Sequence, residues 1–110
     1  LVGMDAAEET AYAQMGLPVV AYSCQSGGVF SCGYRPDLSD AAPRHQAYVN
    51  AENIRRYRAL LEKCAAVPGM TPSRVVLEYI TEHPRLNGFA LIGASRPEQL
   101  RQSLAAMEQR

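Results

Sequence analysis

Two short apolar runs, each ending in a turn of small residues, constrain the fold of this chain more than any other feature. Residues 19–22 (VVAY) lead into a stretch rich in serine and glycine, and residues 89–92 (FALI) lead into Gly93. Neither run alternates apolar with polar residues, which is typical of strands that are covered on both faces. Strands of this kind that alternate with helices predict an α/β fold with a parallel sheet.

The turn after the second run also predicts a binding site for an anion. Ser95 and Glu98 stand at the spacing of a capping box, so a helix is expected to begin directly after this strand. The first backbone N–H groups of a helix have no partner within the helix and are available to an anion. Residues 23–33, after the first run, are rich in serine and glycine, which let backbone come close to a ligand. The two turns together predict a surface that binds phosphate groups.

Four helices are expected around the two strands, at residues 5–15, 50–66, 71–83 and 96–107. Their apolar periodicity predicts the side chains that face inward, which are Tyr12, Met15, Ile54, Tyr57, Leu61, Cys64, Val75, Val76, Tyr79, Ile80, Leu100, Leu104 and Met107. Val29 and Phe30 are expected to hold the first turn against the core. Residues 35–45 have prolines and no apolar period, which predicts a mobile loop.

The composition argues against several functional classes. Eleven basic and eleven acidic residues cancel, so nothing predicts a partner such as nucleic acid or an anionic membrane. No apolar run approaches the ~20 residues of a membrane-spanning helix. Cys24, Cys32 and Cys64 have no CxxC spacing, which argues against a metal site and favours reduced thiols in the cytoplasm. A chain of 110 residues is expected to form a single domain.

Three motifs follow one another along the chain. Residues 21–30 read AYSCQSGGVF, residues 69–72 read GMTP, and residues 93–100 read GASRPEQL. In order and spacing these motifs resemble the C-terminal portion of the aldo-keto reductases, where Ala-Tyr-Ser-Pro-Leu-Gly-x-Gly-Phe-Leu ends the seventh strand. The resemblance implies the last two β/α units of an eight-stranded (β/α) TIM barrel, with helices covering a short parallel sheet.

The resemblance also implies NADP(H) as the cofactor. The residues implied to bind it are Tyr22 at the nicotinamide ring, Ser23 and Gln25 along the pyrophosphate, Gly93, Ala94, Ser95 and Arg96 at the adenosine and its 2′-phosphate, and Gln99, Gln102 and Ser103 beneath the adenine. Loops after the last two strands of such barrels often bind phosphate, in agreement with the expected anion site. Tyr22 as a core aromatic residue and Arg96 as a solvated residue of a first helical turn remain open alternatives.

The chain departs from the family pattern at three places. Cys24 and Gln25 stand where the family usually has Pro-Leu, and Gln102 and Ser103 stand where it has Glu-Asn. The Lys or Arg that often follows the last strand is Gly93 here. The positive charge toward a 2′-phosphate is therefore expected from another residue, the neighbouring Arg96.

The resemblance assigns no catalytic residue to this chain. The family's catalytic Asp, Tyr, Lys and His come from earlier strands, so the chain alone is expected to be inactive. A complete protein would reduce small aldehydes or ketones by hydride transfer from the cofactor. The alternative is a non-enzymatic barrel remnant that oligomerises or binds a nucleotide or phosphate. Because two parallel strands leave their edges unpaired, self-association through those edges is expected for the isolated chain.

Overall fold

A computed structural model describes residues 4–108 of the chain. These residues form four α-helices, two β-strands and two 3₁₀ helices, in the order α1 (Ala6–Met15), β1 (Pro18–Ala21), 3₁₀ helices at Ser26–Gly28 and Pro43–Tyr48, α2 (Ala51–Ala66), α3 (Pro72–Thr81), β2 (Asn87–Ala90) and α4 (Pro97–Glu108). The expected α/β alternation and the four expected helices are confirmed.

The two strands pair in parallel, as predicted. Val20 lies opposite Phe89, and Ala21 lies opposite Ala90. Parallel neighbours require a long crossover connection, which α2 and α3 supply here. A side chain at Gly88 would collide with the backbone carbonyl of Ile80, so glycine at this position lets β2 pack closely against α3.

The expectation that both faces of the strands are covered is wrong for the described residues. Val20 is 61% exposed and Phe89 is 52% exposed, whereas Val19 and Ala21 are partly buried. Successive residues of a strand point to opposite faces of the sheet. The described helices therefore cover one face only, and the other face presents apolar side chains.

Helix starts follow the local signals in the sequence. The Asp5 side chain accepts hydrogen bonds from the first turn of α1, and Glu8 completes a capping box. Asn50 accepts a hydrogen bond from the backbone N–H of the third helical residue of α2, and Thr71 does the same for α3. Pro72 is the first residue of α3, where its missing N–H costs no intrahelical bond.

The core lies between α2 and the segment that connects it to β1. Its buried members are Val29, Phe30, Leu38, Ala41, Tyr57 and Leu60. The Phe30 and Tyr57 rings lie 5.9 Å apart between centroids, so the predicted role of Val29 and Phe30 is confirmed. Residues 35–45, predicted to be a mobile loop, are instead packed against this core, because Leu38 and His45 are both buried.

The predicted inward faces of three helices are wrong in part. α1 buries no residue, α3 buries Leu77, and α4 buries Ser103 and Ala106. The side chains that were expected inside but are exposed are Tyr12, Met15, Tyr79, Leu100 and Leu104. Apolar periodicity marks one face of a helix, but the neighbouring elements decide which face is covered. No helix within residues 4–108 combines the length and apolar character that crossing a membrane requires.

Candidate functional site

The carboxyl ends of the two strands lie side by side, which brings the two predicted turns to one edge of the sheet. The backbone N–H of Leu91 donates to the Ala21 carbonyl at 2.8 Å. The Cys24 thiol donates to the Leu91 carbonyl at 3.3 Å and thereby ties the turn after β1 to the end of β2. We call residues 23–28 the β1 loop and residues 93–96 the β2 turn.

The β1 loop has an uncommon backbone conformation. Ser23, Ser26, Gly27 and Gly28 have positive φ angles of 53°, 50°, 64° and 95°. Ser26, Gly27 and Gly28 are consecutive, so the loop turns through three left-handed residues in succession. Two of these three are glycines, which adopt this conformation without the steric cost of a Cβ.

Some amides of the β1 loop are used within the loop and others are not. Ser26 and Gly28 donate their backbone N–H groups to the carbonyls of Ser23 and Gln25, each at 2.8 Å. The backbone N–H groups of Cys24 and Gln25 have no acceptor among residues 4–108. These two neighbouring donors can receive a ligand without breaking a contact inside the protein.

The start of α4 is capped differently from the prediction. The side-chain carbonyl of Gln99 accepts hydrogen bonds from the Ser95 N–H at 2.9 Å, the Ser95 hydroxyl at 3.1 Å and the Arg96 N–H at 3.2 Å. The expected capping box is wrong, because the Glu98 carboxylate instead pairs with Arg101 at 3.1 Å. The uncharged side-chain oxygen of Gln99 thus accepts the hydrogen bonds that a bound anion would otherwise accept.

The β2 turn carries an unengaged positive charge. Arg96 is exposed, and its guanidinium has no ion pair within the part of the chain that the structure describes. Gly93 and Ala94 are exposed as well, and a side chain at Gly93 would meet open space. The turn is therefore accessible and positively charged.

One hydrogen bond joins the β1 loop to α4. The Gln25 side-chain amide donates to the hydroxyl of Ser103 at 3.2 Å, and Ser103 is buried. The structure thus brings together two of the ten predicted site residues from opposite ends of the chain. Tyr22, at the end of β1, is 80% exposed and is not part of the core that the described residues form. Gln102 is also exposed.

Sequence reasoning missed the contribution of His45. This residue is 2% exposed, and its Nε2 lies 3.1 Å from the Gly27 carbonyl in the β1 loop. Its Nδ1 lies 2.8 Å from the Tyr34 hydroxyl. No local pattern could have shown this, because the burial of His45 depends on partners 18 and 11 positions away.

A cavity of about 680 Å³ opens beneath the covered face of the sheet. Its lining is mainly apolar and includes Leu60, Val76 and Ile80. Glu9 lines it too and lies 3.8 Å from the His83 ring, but its carboxylate also pairs with Arg85. The lining also includes Tyr22, Ser23 and Cys24, so the cavity adjoins the strand-end edge. Within residues 4–108 no cluster of His, Cys, Asp and Glu could hold a metal ion.

The comparisons with known proteins identify a family over nearly the whole chain. The family model described as "Aldo/keto reductase family" matches residues 6–110. The matched region includes both strands, all four described helices and the complete strand-end edge. A comparison with curated proteins found no match.

Proposed function

Because this chain belongs to the aldo/keto reductase family, we propose that it is the C-terminal, cofactor-binding part of an NADP(H)-dependent oxidoreductase. The complete protein would reduce small aldehydes or ketones by hydride transfer. Family membership supports the oxidoreductase activity and a nicotinamide cofactor. The finer assignment to NADP(H) is argued from the strand-end edge.

The hydrogen bond between Gln25 and Ser103 is the observation on which the proposal mainly depends. It ties the β1 loop to the body of α4. The N–H donors of the β1 loop and those at the start of α4, each a set that suits one phosphate group, then belong to one surface. In the proposal, the free N–H groups of Cys24 and Gln25 receive the cofactor pyrophosphate. The N-terminal end of α4 receives the phosphate on the adenosine ribose, because helix N-termini favour negative charge.

The Gln99 contacts support a phosphate at the start of α4. A phosphate oxygen in the position of the Gln99 carbonyl would receive the same N–H groups of Ser95 and Arg96 and the same hydroxyl. It would also meet the Arg96 guanidinium, which can form charge-assisted hydrogen bonds that an uncharged amide oxygen cannot match. NADPH carries this phosphate and NADH lacks it, so the turn should favour NADPH.

The remaining proposed contacts are with the two rings of the cofactor. Tyr22 presents an exposed ring at the end of β1, where the nicotinamide can stack against it. The exposed Gln102 and the amide of Gln99 are proposed to lie beside the adenine. Carbonyl reduction also needs a positioned proton donor. We assign that donor and most substrate contacts to other parts of a complete protein and no catalytic step to this chain.

A titration with NADPH, and with NADH in parallel at low salt, tests the proposal. NADPH is expected to bind about tenfold more tightly than NADH, because one charge-assisted hydrogen bond contributes about this much to an affinity. Arg96→Gln should reduce this preference several-fold, because only the backbone N–H groups and the Ser95 hydroxyl then remain for the phosphate. Arg58→Gln is the matched control, because it removes an exposed arginine from α2 without touching either turn. Equal affinity of the original chain for the two cofactors, or a preference that is unchanged in Arg96→Gln, would contradict the assignment.

A second candidate function is self-association, which the exposed face of the sheet favours. Val20 and Phe89 are large, exposed and directly opposite each other on this face, and Tyr22 and Leu91, just beyond the paired strands, are exposed as well. Sedimentation analysis tests this candidate. A concentration-dependent oligomer that binds neither cofactor would favour the non-enzymatic alternative over the reductase proposal.

A further inference from the structure

His45 uses both ring nitrogens inside the protein, which fixes the orientation of its imidazole. The ring lies edge-on to Tyr34, with centroids 5.7 Å apart. The Nδ1 atom meets the Tyr34 hydroxyl and the Nε2 atom meets the Gly27 carbonyl. A buried ring with these two contacts joins the segment before α2 to the β1 loop.

The surrounding donors and acceptors favour one tautomer of this ring. The Tyr34 hydroxyl accepts the Ala42 N–H at 3.2 Å, so its own proton is available for donation to Nδ1. The proton of the neutral imidazole then lies on Nε2 and is donated to the Gly27 carbonyl. The other tautomer would let Nε2 accept from Arg44 Nε at 3.2 Å, but it would leave the Gly27 carbonyl without this donor. Arg44 is exposed and can direct its Nε–H to solvent, so we assign the Nε2–H form, which keeps the contacts of the ring with both Tyr34 and Gly27.

The contact at Gly27 acts on a peptide unit that orients the rest of the β1 loop. The Gly27 carbonyl and the Gly28 N–H belong to one planar peptide group. The carbonyl accepts from His45, and the N–H donates to the Gln25 carbonyl at 2.8 Å. Gln25 in turn reaches Ser103 through its side chain. Hydrogen bonds on the backbone and on the side chain of Gln25 therefore link His45 to α4 through this residue.

The β1 loop needs support from outside. Ser26 has a positive φ angle, which is unfavourable for a residue that has a Cβ. Its hydroxyl is buried, at 1% residue exposure, and has no hydrogen-bond partner among residues 4–108. Both features disfavour this conformation unless other contacts hold it. The bond from His45 to the adjoining Gly27 is such a contact.

We propose that His45 is a positioning residue for the cofactor loop. Its Nε2–H group holds the Gly27–Gly28 peptide, and this peptide keeps the free N–H groups of Cys24 and Gln25 directed toward the ligand. The identity of the ligand rests on the proposed function, whereas the effect on loop conformation does not. His45 itself touches neither cofactor nor substrate in this proposal.

Two substitutions separate the two contacts of the ring. In His45→Gln the side-chain amide nitrogen can reach the position of Nε2 and still donate to Gly27. In His45→Asn the shorter amide reaches the position of Nδ1 and can still meet Tyr34 but not Gly27. The NADPH dissociation constant should stay within about twofold for His45→Gln and rise about tenfold for His45→Asn. Thermal unfolding of both variants checks that they remain folded.

Rescue by His45→Gln alone would support the positioning role. Equal weakening in both variants, or no weakening in either, would overturn it, because a role confined to packing does not distinguish the two amides. Nitrogen NMR of the neutral His45 ring gives an independent result. A proton on Nε2 is expected, and a proton on Nδ1 would also overturn the inference.

Amide hydrogen exchange separates this inference from the proposed function. In the ligand-free protein, exchange at Gly28 should be faster in His45→Asn than in the unsubstituted chain and unchanged in His45→Gln. If NADPH does not bind the unsubstituted chain, the proposed function fails while this exchange pattern still supports the positioning role. Equal exchange rates in all three proteins would overturn the positioning role whether or not NADPH binds.

Discussion

The side-chain amide of Gln25 donates to the hydroxyl of Ser103 at 3.2 Å across 78 positions of the chain. Ser103 is one of the two buried residues of α4, and Gln25 lies in the turn that follows β1. Secondary-structure contacts alone would leave the β1 loop free to move relative to this helix. The bond gives the loop a defined position against α4, on which the shared phosphate surface depends.

Removing this bond should weaken cofactor binding and stability together. Gln25→Ala and Ser103→Ala should each raise the NADPH dissociation constant several-fold. The free-energy change in the double variant should be smaller than the sum of the two single changes by about 1 kcal/mol, because both substitutions remove the same hydrogen bond. Titration and urea unfolding of the four proteins measure the coupling. Gln14→Ala, an exposed change on α1, is the control, and full additivity would show that the bond does not join the two elements functionally.

The sequence predicted the features that depend on neighbours close in the chain. The starts of α1, α2 and α3, expected at residues 5, 50 and 71, are examples, because the caps at Asp5, Asn50 and Thr71 involve donors only two or three residues away. The parallel pairing of the strands also followed, because a long helical crossover excludes a hairpin. These predictions concern the order of the helices and strands and their local geometry. They do not say which side chains meet in the folded protein.

The features that the sequence did not predict depend on distant partners. Leu100 and Leu104 have helical periodicity, but α4 is covered on the side of Ser103. At the start of α4, the side chain of Gln99 accepts from the Ser95 N–H, which the expected box assigned to the Glu98 carboxylate. His45 lies in a segment without apolar period, and only tertiary contacts bury it. Local residue spacing does not determine which of two nearby acceptors a backbone N–H will use. Nor does it determine which face of a helix the rest of the protein will cover.

Gly88→Ala should destabilise the fold strongly, whereas Gly93→Ala should not. A Cβ at Gly88 would overlap the backbone carbonyl of Ile80, and a backbone atom cannot move aside as a flexible side chain can. The cost is expected to be about 3 kcal/mol or more, comparable with severe overpacking. A Cβ at Gly93 meets no atom, so that variant should stay within about 0.5 kcal/mol of the original. Urea unfolding of both proteins measures the difference, and similar values would contradict the close packing of β2 on α3.

Ser26→Ala should leave the stability unchanged or increase it by about 1 kcal/mol. The Ser26 hydroxyl is buried without a partner, so its removal relieves a desolvation cost and breaks no bond. Asn53→Ala is the contrasting substitution, because this equally buried side chain donates to the Tyr48 carbonyl at 2.9 Å. It should cost about 1–3 kcal/mol. Thermal or urea unfolding distinguishes them, and a large loss in Ser26→Ala would indicate that the hydroxyl has an important partner, such as an ordered water.

Alkaline pH should destabilise the protein partly through Tyr57. Burial of this side chain, with a smaller contribution from the negative charge of Asp40, raises the pKa of Tyr57 above its ordinary value of 10.0. A raised pKa means that the folded chain holds the phenol proton more tightly than the unfolded chain. The contribution to stability is therefore complete below about pH 10 and is lost as the pH rises through the folded-state value.

Tyr57→Phe tests this linkage, since the variant has no phenol to ionise. At neutral pH it should be less stable by about 1 kcal/mol, because the hydroxyl donates to the Tyr34 carbonyl at 3.1 Å. Above about pH 10 the two proteins should converge, because only the original chain loses the Tyr57 contribution. Burial also raises the pKa of Cys64, but this effect is common to both proteins and cancels in their difference. A stability difference that stays constant from neutral pH to about pH 11 would show that the Tyr57 phenol ionises equally easily in the folded and unfolded chains.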